Sequence, residues 1–271
     1  MIIKNIVFVG VVLLCFYLTM GCATILRTLF PLELSKKVSV YGVTVYASRT
    51  VSDEKLLHTA YVLAEYLDNN EDGQLDDPTV IQFLKSADAA MLILKNEDEE
   101  SIENFPFTLS QLLYDFEIHP QGSSAGNFDA TLEEVLHLIS DYGYAHAYPS
   151  AFGVKSGSLL TQYMDQARGG HFKETPAQYP NTAWFTYNDG SCSYSCMATE
   201  YFYWALTSIL GAQEFSGRES AIANEWKLNT ASKVQSDDSD IYTLLTDPKY
   251  KLPTQIPDGI YLPRAFEIER I

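Results

Sequence analysis

Glu133, Glu134 and His137 fall in the run Glu-Glu-Val-Leu-His, and on a helix that spacing can assemble a metal site. Residues four apart stack one turn above the other, so Glu133 and His137 share a stripe. Glu134, three before His137, lies at the edge of that pair. A carboxylate and an imidazole one turn apart can ligate a divalent cation, and a neighbouring carboxylate can take a proton from bound water. The same residues also read more plainly, as an acidic first turn favoured by the helix dipole with an incidental histidine.

A third ligand has two candidates. Met197–Leu206 is apolar nearly all round, which predicts a buried helix, and Glu200 is its only charge. A buried carboxylate needs a cation or hydrogen-bond donors, which a metal, an arginine or a tyrosine would supply. His146 lies nine residues after His137, past Gly143, where the chain could turn back. It is the alternative ligand, or else a surface histidine. The helix itself is anchored by Leu132, Val135, Leu136 and Ile139, one apolar stripe at i, i+3, i+4 and i+7.

The layout Glu133-Glu134-x-x-His137 followed by a lone downstream Glu200 resembles the zincin metallopeptidases, closest to the gluzincin branch, which pairs His-Glu-x-x-His with a later glutamate. The resemblance spans roughly residues 38–210, but two short segments carry it. It implies an α+β, zincin-like fold of two lobes: a small mixed sheet with helices, then a mainly helical C-terminal lobe. It further implies Glu134 as general base, with His137 and Glu200 as zinc ligands. Glu133 stands where the family has its first histidine. Glu/His/Glu is a harder, more anionic set than His/His/Glu, suited to Zn²⁺ or another divalent transition metal. A tyrosine would stabilise the oxyanion, and Tyr142, Tyr144, Tyr148, Tyr187 and Tyr194 all lie in segments that can line the cleft. Glu134-x-x-His137 also has the spacing of a carboxylate-bridged di-metal oxidase, but that class needs two such motifs and the chain has one.

A second acidic constellation precedes this helix. Asp68, Asn70, Asp72, Gly73 and Asp76 match positions 1, 3, 5, 6 and 9 of an EF-hand loop, with Gln74 at the carbonyl-donating position 7. Thr79 replaces the bidentate glutamate at position 12. The segment predicts either a weak Ca²⁺ site or a helix-connecting Asx turn.

The elements that position these residues follow from periodicity. Val38–Ala47 reads as a strand. Ser52 or Asp53 caps a helix to about Leu67, and Asp77-Pro78 opens another to about Ser86. Strands are expected at Ala90–Leu94 and Leu112–His119, with loops at Glu97–Glu103 and Gln121–Asn127. Asp129 or Thr131 starts the Glu133 helix. Further helices are expected at Ser158–Ala167, Thr199–Leu210, Ser220–Trp226 and Asp240–Thr246, before an extended, proline-rich tail.

Composition sets the outer limits. The 271 residues carry 35 Asp+Glu against 18 Lys+Arg, a net charge of −17, which argues against nucleic acid or anionic membranes as partners; a peptide or protein substrate is what the resemblance to metallopeptidases implies. Ile6–Met20 is an apolar run behind Lys4, so residues 1–24 read as a signal peptide or lipoprotein signal, with Cys22 as the acylated residue, or as an uncleaved anchor. Membrane contact would come only through that segment or its lipid. Residues 25–271 would form one secreted or surface-anchored domain, with lobes of about 36–145 and 146–271. In an oxidising compartment Cys192 and Cys196 can close a disulfide. The competing functions are a metal-dependent hydrolase and an inactive, calcium-stabilised extracellular binding protein.

Overall fold

The computed structural model describes residues 34–97, 99, 109–122 and 126–271. Residues 1–24, expected as a signal segment and holding Cys15 and Cys22, lie outside them, as do most of 97–103 and the centre of 121–127. The described chain is α+β, with an N-terminal lobe built on a mixed sheet and a mainly helical C-terminal lobe.

Among the described residues the sheet has five strands: β1 (Leu34–Val40), β2 (Val43–Ser48), β3 (Ala89–Leu94), β4 (Leu109–Tyr114) and β5 (Glu269–Arg270), in the order β4-β3-β2-β1-β5. β1 pairs antiparallel with β2 and β5, whereas β2, β3 and β4 run parallel. The single strand expected over Val38–Ala47 is instead a hairpin. Tyr41 and Gly42 both take positive φ, 51° and 91°, the turn geometry whose twist matches an antiparallel pair. All six residues of β3 are buried, as a central parallel strand requires.

Helix α1 (Asp53–Leu67) is capped by Ser52, and α2 (Pro78–Ser86) by Asp77 with Pro78 in its first turn, as the sequence predicts. The strand expected to reach His119 stops at Tyr114. There Asp115 turns away as counter-ion to Lys55 and Lys95, and Glu117 accepts the Tyr114 N–H at 3.1 Å. A 3₁₀ turn, Asp115–Glu117, replaces the ladder.

Helix α3 (Thr131–Ile139) carries the motif. Asp129 accepts the Thr131 N–H at 3.2 Å and the His119 N–H at 3.0 Å, and His58 of α1 binds its other oxygen at 2.6 Å. Leu132, Val135, Leu136 and Ile139 are buried. Each large apolar side chain so buried contributes roughly 1.5–3 kcal/mol, which holds a helix whose other face turns ionisable groups inward. α3 packs on α1, on β4 and on α5 (Tyr194–Ile209), the helix that holds Glu200. Between them in sequence lies α4 (Leu159–Ala167), capped by Ser158. α5 begins five residues earlier than expected because Ser193 caps it, accepting from Cys196 N.

After α5 come three short helices, Arg218–Ile222, Ala231–Asp237 and Ser239–Leu245. The expected Ser220–Trp226 helix ends early because its last residues pair elsewhere. Thr186 N donates to Glu225 O at 2.8 Å and Lys227 N to Trp184 O at 3.1 Å.

The extended tail is a strap across the end of α1. Asn69 accepts from Thr254 N and Gln255 N, and Tyr261 donates to Asp68. Glu65 accepts from Asp258 N and Gly259 N at 3.2 and 2.8 Å. Burial pushes the Glu65 carboxyl up to about 7 despite those two donors. A carboxyl raised above its unfolded value of 4.5 destabilises the fold increasingly as pH climbs from that value to about 7. Glu65→Gln should therefore flatten the loss of stability between pH 5 and 7, a difference of up to about 3 kcal/mol, measured by urea denaturation across that range.

Candidate metal centre

Glu133, His137 and Glu200 come together where α3 faces α5. One ligand atom from each lies within 4.8 Å of the others. His137 and Glu200 are buried and Glu133 is partly so. His137 Nε2 stands 3.5 Å from a Glu200 oxygen, yet among the described residues it is a buried nitrogen with no hydrogen-bond partner. His58 and Asp129 show what a closed pair looks like in this protein: 2.6 Å, both groups buried. The wider His137–Glu200 separation suits two ligands of one ion, since tetrahedral donors at about 2.1 Å from a metal sit roughly 3.4 Å apart.

Electrostatics fit the same reading. Burial pushes Glu133 up to about 8, and the charge of Glu200 adds to the rise, while His137 and a hydrogen bond from Tyr203 oppose it. Burial alone would lower His137, but the carboxylates of Glu200 and Glu134 outweigh it and hold the imidazole well above its ordinary value. Without a metal, a shared proton charge on His137 is what balances these carboxylates. A divalent cation would replace that proton.

Glu134 lies on the other edge of the ring. One of its oxygens is 3.6 Å from His137 Nδ1 and accepts a hydrogen bond from Gln111 Nε2 of β4. A carboxylate there fixes the tautomer that leaves Nε2 free to ligate. His146 is not brought to the cluster. The expected turn at Gly143 does not occur: α3 runs on through a π-helical segment, Ser140–Tyr144. Gly143 is needed there because a Cβ would meet Val80 of α2 at 2.7 Å. His146 ends exposed, stacked on Phe83 at 6.0 Å between ring centroids.

Of the five tyrosines considered from sequence, Tyr187 is the one whose hydroxyl feels the cluster. It is held in its neutral form by burial and then by the charges of Glu200, Glu225 and Glu133. Tyr144 donates to Lys251 O, Tyr148 to Asp77 and Tyr194 to Asp165, all away from the triad. Tyr142 shows only burial and the nearby Asp141 charge.

Tyr203 was not anticipated, although it stands three residues from Glu200 on the same helix face. Its hydroxyl bonds Glu133 and receives Gln213 Nε2 at 3.2 Å and Arg218 Nη2 at 3.4 Å, while its ring meets His137 edge-on at 5.5 Å. Gln213 and Arg218 lie beyond Gly211 with nothing in the sequence to mark them. Glu225, raised by burial and by Glu200, adds a further carboxylate nearby. Tyr203→Phe should lower metal affinity by about 10-fold or more with little change in fold, checked by competition with a chromogenic chelator.

The acidic loop joins α1 to α2 with hydrogen bonds along its length. Asp68 accepts from Asp72 N and Gly73 N, Asn70 from Asp72 N, Asp72 from Gln74 N, and Asp76 from Asn69 N, at 2.7–3.1 Å. Glu71 and Gly73 take positive φ, 52° and 85°. Asp68 is fully buried and also accepts from Tyr41 and Tyr261.

Cys192 and Cys196 are disulfide-bonded, with Cα atoms 5.4 Å apart, across the first turn of α5. Among the described residues no helix is long and apolar enough to cross a membrane. Comparison with known protein families, curated proteins and solved structures finds no match. The class is therefore set by the molecule itself: an α+β protein with a disulfide and a buried Glu–His–Glu set able to chelate a divalent cation.

Proposed function

We propose that this protein is a divalent-metal-dependent hydrolase of zincin type, acting on a peptide or protein substrate outside the cytoplasm. The observation that carries this reading is the unpartnered, buried Nε2 of His137 facing the carboxylates of Glu133 and Glu200. A divalent ion there supplies Lewis acidity and an acidified water. Glu133, His137 and Glu200 would hold it, with Zn²⁺ favoured and a harder divalent ion accommodated by the two carboxylates. Tyr203 orients Glu133, and Tyr187, kept protonated, offers a donor to a developing oxyanion. Glu134 is the base of the scheme.

The position of Glu134 on the Nδ1 edge of His137 favours a second reading, in which it only orients the ring and the domain binds without catalysis. Glu134→Gln separates the two. As base, its loss abolishes peptide hydrolysis with metal content intact. As an orienting group, its loss weakens metal binding by about 10–100-fold.

The Asp68–Asp76 loop, with Asn70, Asp72 and Gln74, would add a structural Ca²⁺, supported by its helix–loop–helix setting and by Gly73 at the turn. Millimolar Ca²⁺ should then raise Tm by a few degrees, and Asp72→Asn should remove the rise; an equal Tm with Ca²⁺ and chelator contradicts the assignment. Export is supported by the disulfide and by the apolar run behind Lys4.

A further inference from the structure

Arg168 lies at the end of α4 and is fully buried. It forms no ion pair among the described residues. Asp165, three residues earlier, spends Oδ2 on His171 Nδ1 at 2.7 Å and on the Tyr194 hydroxyl at 3.0 Å, and its buried Oδ1, without a hydrogen-bond partner among the described residues, makes no ion pair with Arg168. Arg168 Nη1 donates to Phe172 O at 2.8 Å, which leaves Nε and Nη2, both buried and both without a partner among the described residues. Those two groups form one edge of the guanidinium. Their N–H bonds point the same way, as the fork that takes a carboxylate or a single small anion.

The rings of Phe172 and Tyr179 stand 5.4 and 5.7 Å from the guanidinium carbon. Ring faces offset only part of the cost of burying a cation. The remaining two donors and the net positive charge have one requirement in common. We propose that the Nε–Nη2 edge of Arg168 is a buried binding site for one small monovalent anion, a halide or a free carboxylate.

The site does not depend on the metal centre, but it bears on it. Tyr179 donates its hydroxyl to the carbonyl of Tyr187. Trp184 N and Phe185 N bond Ala167 O, next to Arg168 in the chain, at 3.0 and 3.3 Å. The anion would thus hold the segment that carries Tyr187 toward Glu200.

Crystals of the full chain grown in bromide and, separately, in formate test this directly. An anomalous bromide peak or a formate bound on the Nε–Nη2 edge supports the site, and which of the two appears identifies the anion class. In parallel, Tm should rise saturably by about 5 °C in chloride, bromide or formate relative to sulfate at matched ionic strength, and Arg168→Met should abolish the difference. Should that variant fail to fold, the bromide and formate maps of the unaltered protein decide. Maps with neither anion on that edge, together with equal Tm in all four salts, overturn the proposal.

Discussion

Replacing His137 with alanine should lower the affinity for Zn²⁺ or another first-row divalent ion by more than about 100-fold, beyond the 10–100-fold that loss of an outer partner costs. His137 contributes the single nitrogen of the set, and its Nε2 is aimed between two carboxylates with no other bond to make. What remains after truncation is a pair of glutamates, a harder and weaker site for a transition metal. The same substitution removes the cation that balances Glu200 and Glu134 in the metal-free protein. Breaking a buried pair in this way costs about 3–5 kcal/mol. Chelator competition would measure the affinity loss, and urea denaturation in chelator the loss of stability.

Glu133→Gln should move those two quantities in opposite directions. Glutamine keeps the shape and can still accept from Tyr203, but it carries no charge beside Glu200. In the metal-free protein the Glu133 carboxyl is raised from 4.5 to about 8, so it contributes nothing unfavourable at pH 4 and a growing penalty between those two values. Metal-free Glu133→Gln should therefore be the more stable form by up to about 5 kcal/mol at pH 9, and nearly equal to the unaltered protein at pH 4. His137 adds a drift of the same sign. Its raised value stabilises the metal-free fold fully below 6.5 and loses that contribution as pH rises through the folded value. A metal reverses the pattern by taking the deprotonated forms of both groups. Metal affinity of the unaltered chain should thus climb steeply with pH up to about 8, while Glu133→Gln should show a weaker site and a shallower climb. Guanidinium or urea melts with and without chelator, at pH 4, 7 and 9, separate the two effects.

The contrast between α3 and the rest of the site explains what could be read from the chain. A helix fixes the angular relation of residues three and four apart, so the Glu133–His137 pair and the buried stripe beside it follow from local spacing alone. Glu200 was legible for a different reason: a lone charge in an apolar helix has to be answered by something. The caps at Ser52, Asp77 and Ser158 act through their own neighbours and were equally readable. What sequence did not reveal depends on contacts far apart in the chain. Gln111 on Glu134, Arg218 through Gln213 on Tyr203, and the tail on Glu65 each join segments whose meeting no local pattern announces. The hairpin at Tyr41-Gly42 left one mark in the sequence, a shift in the phase of alternation from Val38 and Val40 to Val43 and Val45, where two residues of positive φ divide the strands. The π-helical segment after Ile139 decides His146, which the sequence left as either an alternative ligand or a surface histidine and which the continuing helix carries to the surface.

A metal titration of the full chain, followed by calorimetry in buffers of differing protonation enthalpy, tests the central claim most directly. Glu133 and His137 both hold protons near pH 7 in the metal-free protein, and both must give them up to ligate. The account predicts saturation at about one metal per chain with release of about two protons at pH 7, both lost in His137→Ala. Absence of stoichiometric binding, or binding that releases no protons and survives His137→Ala, would contradict it.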